Sequence, residues 1–515
     1  MPAPEILPGV ARRCDVRFRR LMTLVALSAV LPGSGHLAGG RRTAGRVIMA
    51  ATLVLLASVA ALVYAIMAWP ETVASRAAGC ALSPACLAGV RYGVLTVGAC
   101  WVAVILSAVL LGHPGAVPPA RRFVALALAA VLCAAVAVPT VALSNAAVAT
   151  QSATDALFGG LAPASPKAQA GTEVSAEEAF ADGRVNVLLL GGDSGEDRQG
   201  LRTDTVIVAS LDVATGRTVL FSLPRNLQDI PFPPGSAMAR AWPDGFDCGD
   251  RCLLNAVYQE GAEHPERFPG ERDSGIAAVR AGVSQSLGLN LDYVVLVTLA
   301  GFEAIIDALG GVTIDVAERL PIGGLDASGR RVKPSGYIAA GTQRMDGRTA
   351  LDYVRSRSAG TDYDRVERQS CLLGAVARQV DLSTLLTRYA GVVGATSDAI
   401  RTDITRPGAR ALLDLAVKVR GQPIERLAFI PPVIPNTTSP DFVRIRALVR
   451  TAIAGTGPGS DRATSPSSST PGNAEMTSTP GALSPSDARS GRVAAGPAAP
   501  SRTPAPEAVD LARVC

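Results

Sequence analysis

The chain has 515 residues, with 49 Lys plus Arg against 44 Asp plus Glu, so it is long enough for more than one folded unit and only mildly basic. Lys167, Lys333 and Lys418 are its only lysines, so nearly every cation is a guanidinium, the planar fork that clamps carboxylate or phosphate. His36, His113 and His264 stand away from the charged clusters, and none of the nine cysteines forms a CxxC pair or has a histidine nearby, which argues against Ser/His chemistry and a zinc site.

In chain order, five arginines (Arg12, Arg13, Arg17, Arg19, Arg20) precede a short apolar run that breaks at Pro32-Gly33-Ser34-Gly35. No small-residue cleavage site follows, so no removable signal peptide is read. The run Leu21–Leu31 is too short to cross a bilayer, and Leu21–Leu37 is expected to be re-entrant or interfacial. Three longer apolar runs follow, Val47–Trp69, Tyr92–Leu111 and Phe123–Leu143, each near the ~20 residues that a bilayer core requires. Arg41, Arg42 and Arg46 precede the first, and Arg121 and Arg122 the third, so those loops are expected to be cytoplasmic. The loop with Cys80 and Cys86, and everything after Leu143, then lies outside. Close cysteine pairs suit disulfides in an oxidising compartment, which makes Cys80 with Cys86, and Cys248 with Cys252, candidates.

The expected division is a membrane region over 1–149, a juxtamembrane linker over 150–181, a globular domain over 182–433 and a mostly disordered tail over 434–515. From about Gly455 to Pro506 the composition is Ser, Thr, Pro, Gly and Ala, too poor in large apolar residues to order itself. Cys515 is expected to be a free thiol.

Within the globular part, Val187–Leu190 predicts a buried strand that stops at Gly191-Gly192, with Asp193 directly behind. Arg202, Thr203 and Asp204 open a second strand, Thr205–Leu211, and a third, Thr218–Leu223, ends at Pro224-Arg225. Cys252–Gly261 starts a helix. Ile276, Val279, Val283 and Leu287 give Arg272–Leu287 an apolar face at helical spacing. Tyr293–Thr298 and Val312–Val316 predict strands; Leu299–Leu309, Asp346–Arg355 and Asp364–Val380 predict helices. Strands alternating with helices imply an α/β sheet covered on both faces.

Asp193, Asp204, Arg202 and Arg225 thus stand at strand ends, where open sheets bind ligands. A second cluster, LDYVRSRSAGTDYDRVERQ over 351–369, holds Arg355, Arg357, Arg365, Arg368 and Gln369. On a helix Arg365 and Gln369 share a face. Taken alone, the run reads as a solvated charged surface and the two aspartates as turn or cap acids. Taken together, two carboxylates and several arginines suit a phosphate bridged to Mg²⁺, which takes oxygen ligands. No GxxxxGK[ST] is present, and GGDSGEDRQG lacks dinucleotide-binding spacing.

These motifs in this order, LLGGD, RTDT, SLPRN, LLNAVY, GGV with Asp315, GTQRMDGRTALDYVRSR and DYDRVERQ, resemble the LytR–CpsA–Psr family of wall-polymer ligases over roughly 183–382. The multi-span start with its PGSG turn resembles actinobacterial members. The resemblance implies an α/β/α sandwich with a central mixed sheet outside the cell membrane. It also implies transfer of a glycopolymer from a polyprenyl-pyrophosphate carrier onto peptidoglycan, through a phosphodiester link. Carried over, Asp193 and Asp204 hold Mg²⁺ (or Mn²⁺), and Arg202, Arg225, Arg355, Arg357, Arg365 and Gln369 bind the pyrophosphate. Asp204, Arg225, Arg355 and Arg357 are the residues closest to the chemistry, with no general base assigned. Asn226 departs from the acid that commonly follows the SxPR arginine. Leu253 stands where some members have lysine, with Arg251 as the nearest substitute. The implied partners are the lipid-linked glycan, peptidoglycan and the bilayer. Nucleic acid is disfavoured, because the basic clusters lie outside the membrane. A lipid-carrier sensor or scaffold and a pyrophosphatase are the competing readings.

Overall fold

The computed structural model describes residues 8–112, 118–158, 180, 182–193, 200–323, 330, 332–356, 362–379, 399–420, 422–455, 508–511 and 515. Arg357 and most of the Ser/Thr/Pro-rich tail lie outside these residues.

Six helices come first: α1 (Pro8–Val30), α2 (Ser34–Ala38), α3 (Arg42–Ala68), α4 (Pro70–Ala81), α5 (Pro84–Leu111) and α6 (Pro119–Phe158). Among the described residues three of them, α3, α5 and α6, are long and apolar enough to cross a membrane, by length and composition. The stretch 21–37 is the second half of α1, the turn and α2. Leu21 and Val25 of α1 pack on Ile105 and Val109 of α5 and on Ala125 and Ala129 of α6. The turn needs glycine: Gly33 has φ 97°, and a Cβ there would lie 2.6 Å from the Met49 nitrogen. Residues 150–158, expected as linker, instead prolong α6. The helical pattern continues because Ala, Ser and Thr carry no break signal there.

The globular domain is built on a seven-stranded mixed sheet. Its strands are β1 (Arg184–Asp193), β2 (Arg202–Asp212), β3 (Thr218–Leu223), β4 (Tyr293–Thr298), β9 (Ile400–Thr402), β10 (Ile424–Ala428) and β11 (Val509–Asp510), in the spatial order β11-β10-β3-β2-β1-β4-β9. The β1/β4 and β3/β10 pairs are parallel and the other neighbours antiparallel. Val312–Val316 (β5) is a strand but not part of this sheet. It pairs with Gly341–Met345 (β8), and Leu320–Ile322 (β6) pairs with Gly336–Ile338 (β7).

Alternation along the strands sends side chains to two faces. Leu188, Leu190, Val206, Val208, Phe221 and Leu296 enter the largest apolar cluster. There they meet α8 (Val257–Glu263), α9 (Ser274–Leu287) and α14 (Phe442–Ala454), which follow a short α7 (Ala237–Ala241). The predicted face of α9 is buried: Ile276, Val279, Val283 and Leu287 all point in. Asp273 caps its first turn by accepting from the Ile276 amide at 2.9 Å, and Gly288 ends it in the left-handed region at φ 68°. On the opposite face lie α10 (Leu299–Ala308), α11 (Gly347–Arg355), α12 (Asp362–Gln379) and α13 (Arg406–Val419).

Two expectations for the chain's end are corrected. Residues 442–454 are a helix, with Ile445 and Val449 fully buried in the main core. Cys515 is not a free thiol: it is bonded to Cys371, across 144 residues of sequence. The Cys80–Cys86 and Cys248–Cys252 disulfides are formed, with Cα–Cα distances of 5.2 and 5.1 Å.

The domain rests on the end of the helix bundle that carries the Cys80–Cys86 loop. Arg410 of α13 donates to the Gly79 carbonyl at 2.7 Å, and Arg406 pairs with Asp155 of α6.

Candidate functional site: a cavity with an aspartate–arginine rim

Between the sheet and α10–α12 lies a cavity of about 820 Å³. Its walls are apolar, from Leu189, Ile207, Val295, Phe302, Leu372 and Val376 among others. Its polar rim is formed by Asp193, Asp204, Arg355, Arg365 and Gln369, at the C-terminal end of β1 and the start of β2.

A β-bulge shapes this rim. Gly191 pairs with Thr205 and Gly192 with Thr203, which leaves Asp204 as the extra residue on β2. Strict alternation would send Asp204 to the same face as Val206, into the packed core. The inserted residue re-aims it, so that Asp204 and Thr205 both line the cavity. Gly191 permits the close approach: a Cβ there would lie 2.9 Å from the Thr205 Cβ.

Three elements converge on Asp204. Arg225, just past β3, donates through Nη1 to both carboxylate oxygens, at 3.3 and 3.4 Å. Arg365, whose side chain is only 4% exposed, donates through Nη2 to the Asp204 carbonyl at 3.0 Å and holds Nη1 3.9 Å from its Oδ2. Asn255 donates through Nδ2 to Oδ1 at 3.2 Å. Burial pushes the Asp204 carboxyl up, but the two guanidiniums and the Asn255 amide outweigh it and hold the group below the ordinary carboxylate value. Across the rim, Arg355 at the end of α11 reaches Asp193 Oδ2 at 3.3 Å with a side chain still 50% exposed.

The structure therefore brings together Asp193, Asp204, Arg225, Arg355, Arg365 and Gln369. Arg202 is exposed and does not line the cavity, although its backbone pairs with that of Asp193. Arg368 turns away: its Nε donates to the Tyr353 carbonyl at 3.1 Å and its Nη2 to that of Ser356, so it holds the end of α11. Asn226 donates to Thr437 Oγ1 at 3.1 Å, away from Asp204. Arg251 is exposed and off the cavity, so it does not replace the lysine missing at Leu253. Asn255 was not singled out among the candidates. Its signal lies in LLNAVY, where it reads as helix start; its backbone N–H, which donates to the Arg225 carbonyl at 3.1 Å, holds it at the site.

Among the described residues no cluster of three or more His, Cys, Asp or Glu could hold a metal. Two rim carboxylates still fit a hard divalent cation whose remaining ligands are water and phosphate oxygens, the usual arrangement for Mg²⁺.

The fold and the rim define a mixed-sheet α/β domain with a cavity whose lining is mostly apolar and includes the Asp193 and Asp204 carboxylates and the Arg355 and Arg365 guanidiniums. The LytR_cpsA_psr family model matches residues 160–437, more than half of the chain, and the protein belongs to this family. A polyisoprenyl-teichoic acid–peptidoglycan teichoic acid transferase, TagU of Oceanobacillus iheyensis, is 25% identical over 232 residues, covering 44% of this chain and 62% of that protein. The cell wall biosynthesis protein LcpA of Corynebacterium glutamicum is 26% identical over 262 residues, covering 47% and 48%. The regulatory protein MsrR of Staphylococcus aureus is 24% identical over 229 residues, covering 44% and 58%. The chain thus spans less than two thirds of the length of these curated relatives. Of solved structures, Bacillus subtilis TagV is 20% identical with a TM-score of 0.37, covering 52% of this chain and 95% of that one. TagT bound to LIIa-WTA is 19% identical with a TM-score of 0.38, covering 57% and 96%.

Proposed function

We propose that this protein is a membrane-anchored phosphotransferase that moves a glycopolymer from a polyprenyl-pyrophosphate carrier onto peptidoglycan. The observation that carries this reading is the cavity itself: about 820 Å³, lined by apolar side chains together with Arg355 and Arg365, a lining suited to a lipid-linked diphosphate. Family membership and the transferase relatives support it.

In this reading the lipid tail lies against Leu189, Ile207, Val295 and Val376, which exclude water from the reacting centre. Arg225, Arg355 and Arg365 grip the diphosphate and stabilise the charge that grows on its bridging and terminal oxygens. Asp193 and Asp204 are the residues that would hold Mg²⁺, which when bound neutralises phosphate charge and polarises phosphorus. An acceptor hydroxyl on peptidoglycan attacks the sugar-side phosphorus. A new P–O bond forms, the P–O bond to the carrier breaks, polyprenyl phosphate leaves, and the hydroxyl proton is released. Asp204 also fixes the Arg225 fork, which donates to both of its carboxylate oxygens, and keeps the Arg365 guanidinium beside it.

The three disulfides among the described residues, and the arginines flanking the apolar helices, support a domain facing the extracytoplasmic side.

The test uses the full chain in detergent with labelled lipid-linked glycan, peptidoglycan and Mg²⁺. Label should appear on peptidoglycan. Arg365→Lys keeps the charge but loses the fork, and should lower transfer about a hundredfold. Binding without turnover would instead identify a carrier sensor. Phosphate release without labelled peptidoglycan would identify a pyrophosphatase.

A further inference from the structure

The helix that presents Arg365 and Gln369 to the rim is α12, and its outer side is held by the last residues of the chain. Val509 and Asp510 add β11 to the open edge of β10, with Asp510 opposite Glu425 and Val509 opposite Arg426. Leu511 is fully buried with Ile207, Leu220 and Ile424, against Leu373 and Ala377 of α12. It sits so close to α12 that a Cβ on Gly374 would lie 3.0 Å from its Cδ1. Cys515 closes the contact covalently through Cys371, six residues after Arg365 and two after Gln369. β10 reinforces the contact from its own side, where Arg426 pairs with Glu367 of α12 at 3.2 Å.

The same residues form the cavity wall. Ile207, Leu372 and Leu373 line the cavity, and Leu511 packs behind Ile207 and Leu373. Without Val509–Leu511 and Cys515, β10 would become the sheet edge and this stretch of α12 would lose part of its apolar backing. Other ties between α12 and the sheet are polar: Glu367 to Arg426, Arg365 to the Asp204 carbonyl at 3.0 Å, and Ser370 facing Ser222 at 3.1 Å.

We infer that residues 508–511 and Cys515 are a positioning element for the candidate site, with Leu511 and the Cys371–Cys515 disulfide setting where α12 delivers Arg365 and Gln369. The effect on ligand binding rests on the diphosphate reading above; the effect on α12 does not. The contacts of Val509–Leu511 and Cys515 are with β10, with Ile207 and Leu220 of the sheet, and with α12. The element acts through α12, by restricting a helix that would otherwise breathe as a local unit. A general staple would slow opening of the whole domain, whereas a positioning element acts on α12 selectively.

Amide hydrogen exchange on the full chain in detergent separates the two. In Cys515→Ser, amides of residues 365–376 should exchange about tenfold faster, while those of residues 276–287 on the opposite sheet face stay unchanged. Leu511→Ala, which keeps the disulfide, should give a smaller change in the same direction, and Leu511→Met should restore the parent pattern. Farnesyl diphosphate, used as the probe with Mg²⁺, should bind Cys515→Ser about tenfold more weakly. Unchanged exchange in 365–376 would overturn the inference, as would an equal rise in both helices. If the unmodified chain does not bind the probe at all, the transfer reading falls and the exchange comparison alone decides this one.

Discussion

The two faces of the central sheet receive the same kind of strand residue and end differently. Leu188, Val208 and Phe221 meet α8, α9 and α14 and disappear into a solid core. Leu189 and Ile207, one position away on β1 and β2, meet α10–α12 with Val295 of β4 across a cavity of about 820 Å³. The difference lies in what covers each face. On the solid face α9 lies flat and inserts Ile276, Val279 and Val283 into the sheet. On the hollow face α10–α12 form part of their own apolar cluster with β5 to β8, so their packing is satisfied beside the sheet as well as on it. An apolar surface left partly unfilled costs stability, and this hollow face is the one that the proposed function uses for binding.

That contrast can be broken by experiment. The largest effect is expected on the solid face. Phe221 is fully buried and stacks with Phe429 at 6.4 Å, so Phe221→Ala should cost about 3–5 kcal/mol in urea unfolding of the full chain. Val295→Ala, on a residue that already borders open space, should cost only about 1 kcal/mol. Equal costs would mean that the cavity is filled in solution. A middle-sized effect is expected from filling it deliberately. Val376→Phe should leave Tm unchanged or higher, yet weaken binding of farnesyl diphosphate about tenfold. Tighter binding would show that the apolar wall is not where the tail lies.

The smallest effect concerns the rim. The Asp204 carboxyl is held below its ordinary value of 3.8 in the folded chain, so its stabilisation is full above that value and is lost as pH falls through the folded one. The stability gap between the parent protein and Asp204→Asn should therefore be constant near neutrality and narrow below about pH 4. Thermal denaturation across that range checks the sign. A gap that widened in acid would mean that burial, not the Arg225 and Arg365 guanidiniums, dominates at Asp204.

Much of this organisation was legible in the chain. Apolar spacing located α9, β-branched runs located β1 to β5, and run length located the three helices able to cross a membrane. Such signals are local, arising from side chains a few residues apart on one element. The strand ends and the 351–369 cluster named most of the rim for the same reason, since strand ends mark where a sheet binds ligands. Arginine identity alone could not sort the rim from its surroundings. Arg368 looks like Arg365 in sequence, yet it turns to the carbonyls of Tyr353 and Ser356 because it leaves α12 on another side.

What the residues determined by themselves was which segments become helix or strand and which charges stand at their ends, because propensity and periodicity act within one element. Only the tertiary structure decided that a bulge turns Asp204 into the cavity, that Asn255 reaches it from a short 3₁₀ turn, and that Cys515 is tied to Cys371. Each of those depends on strand register or on contacts between segments distant in sequence, and neither leaves a periodic trace along the chain.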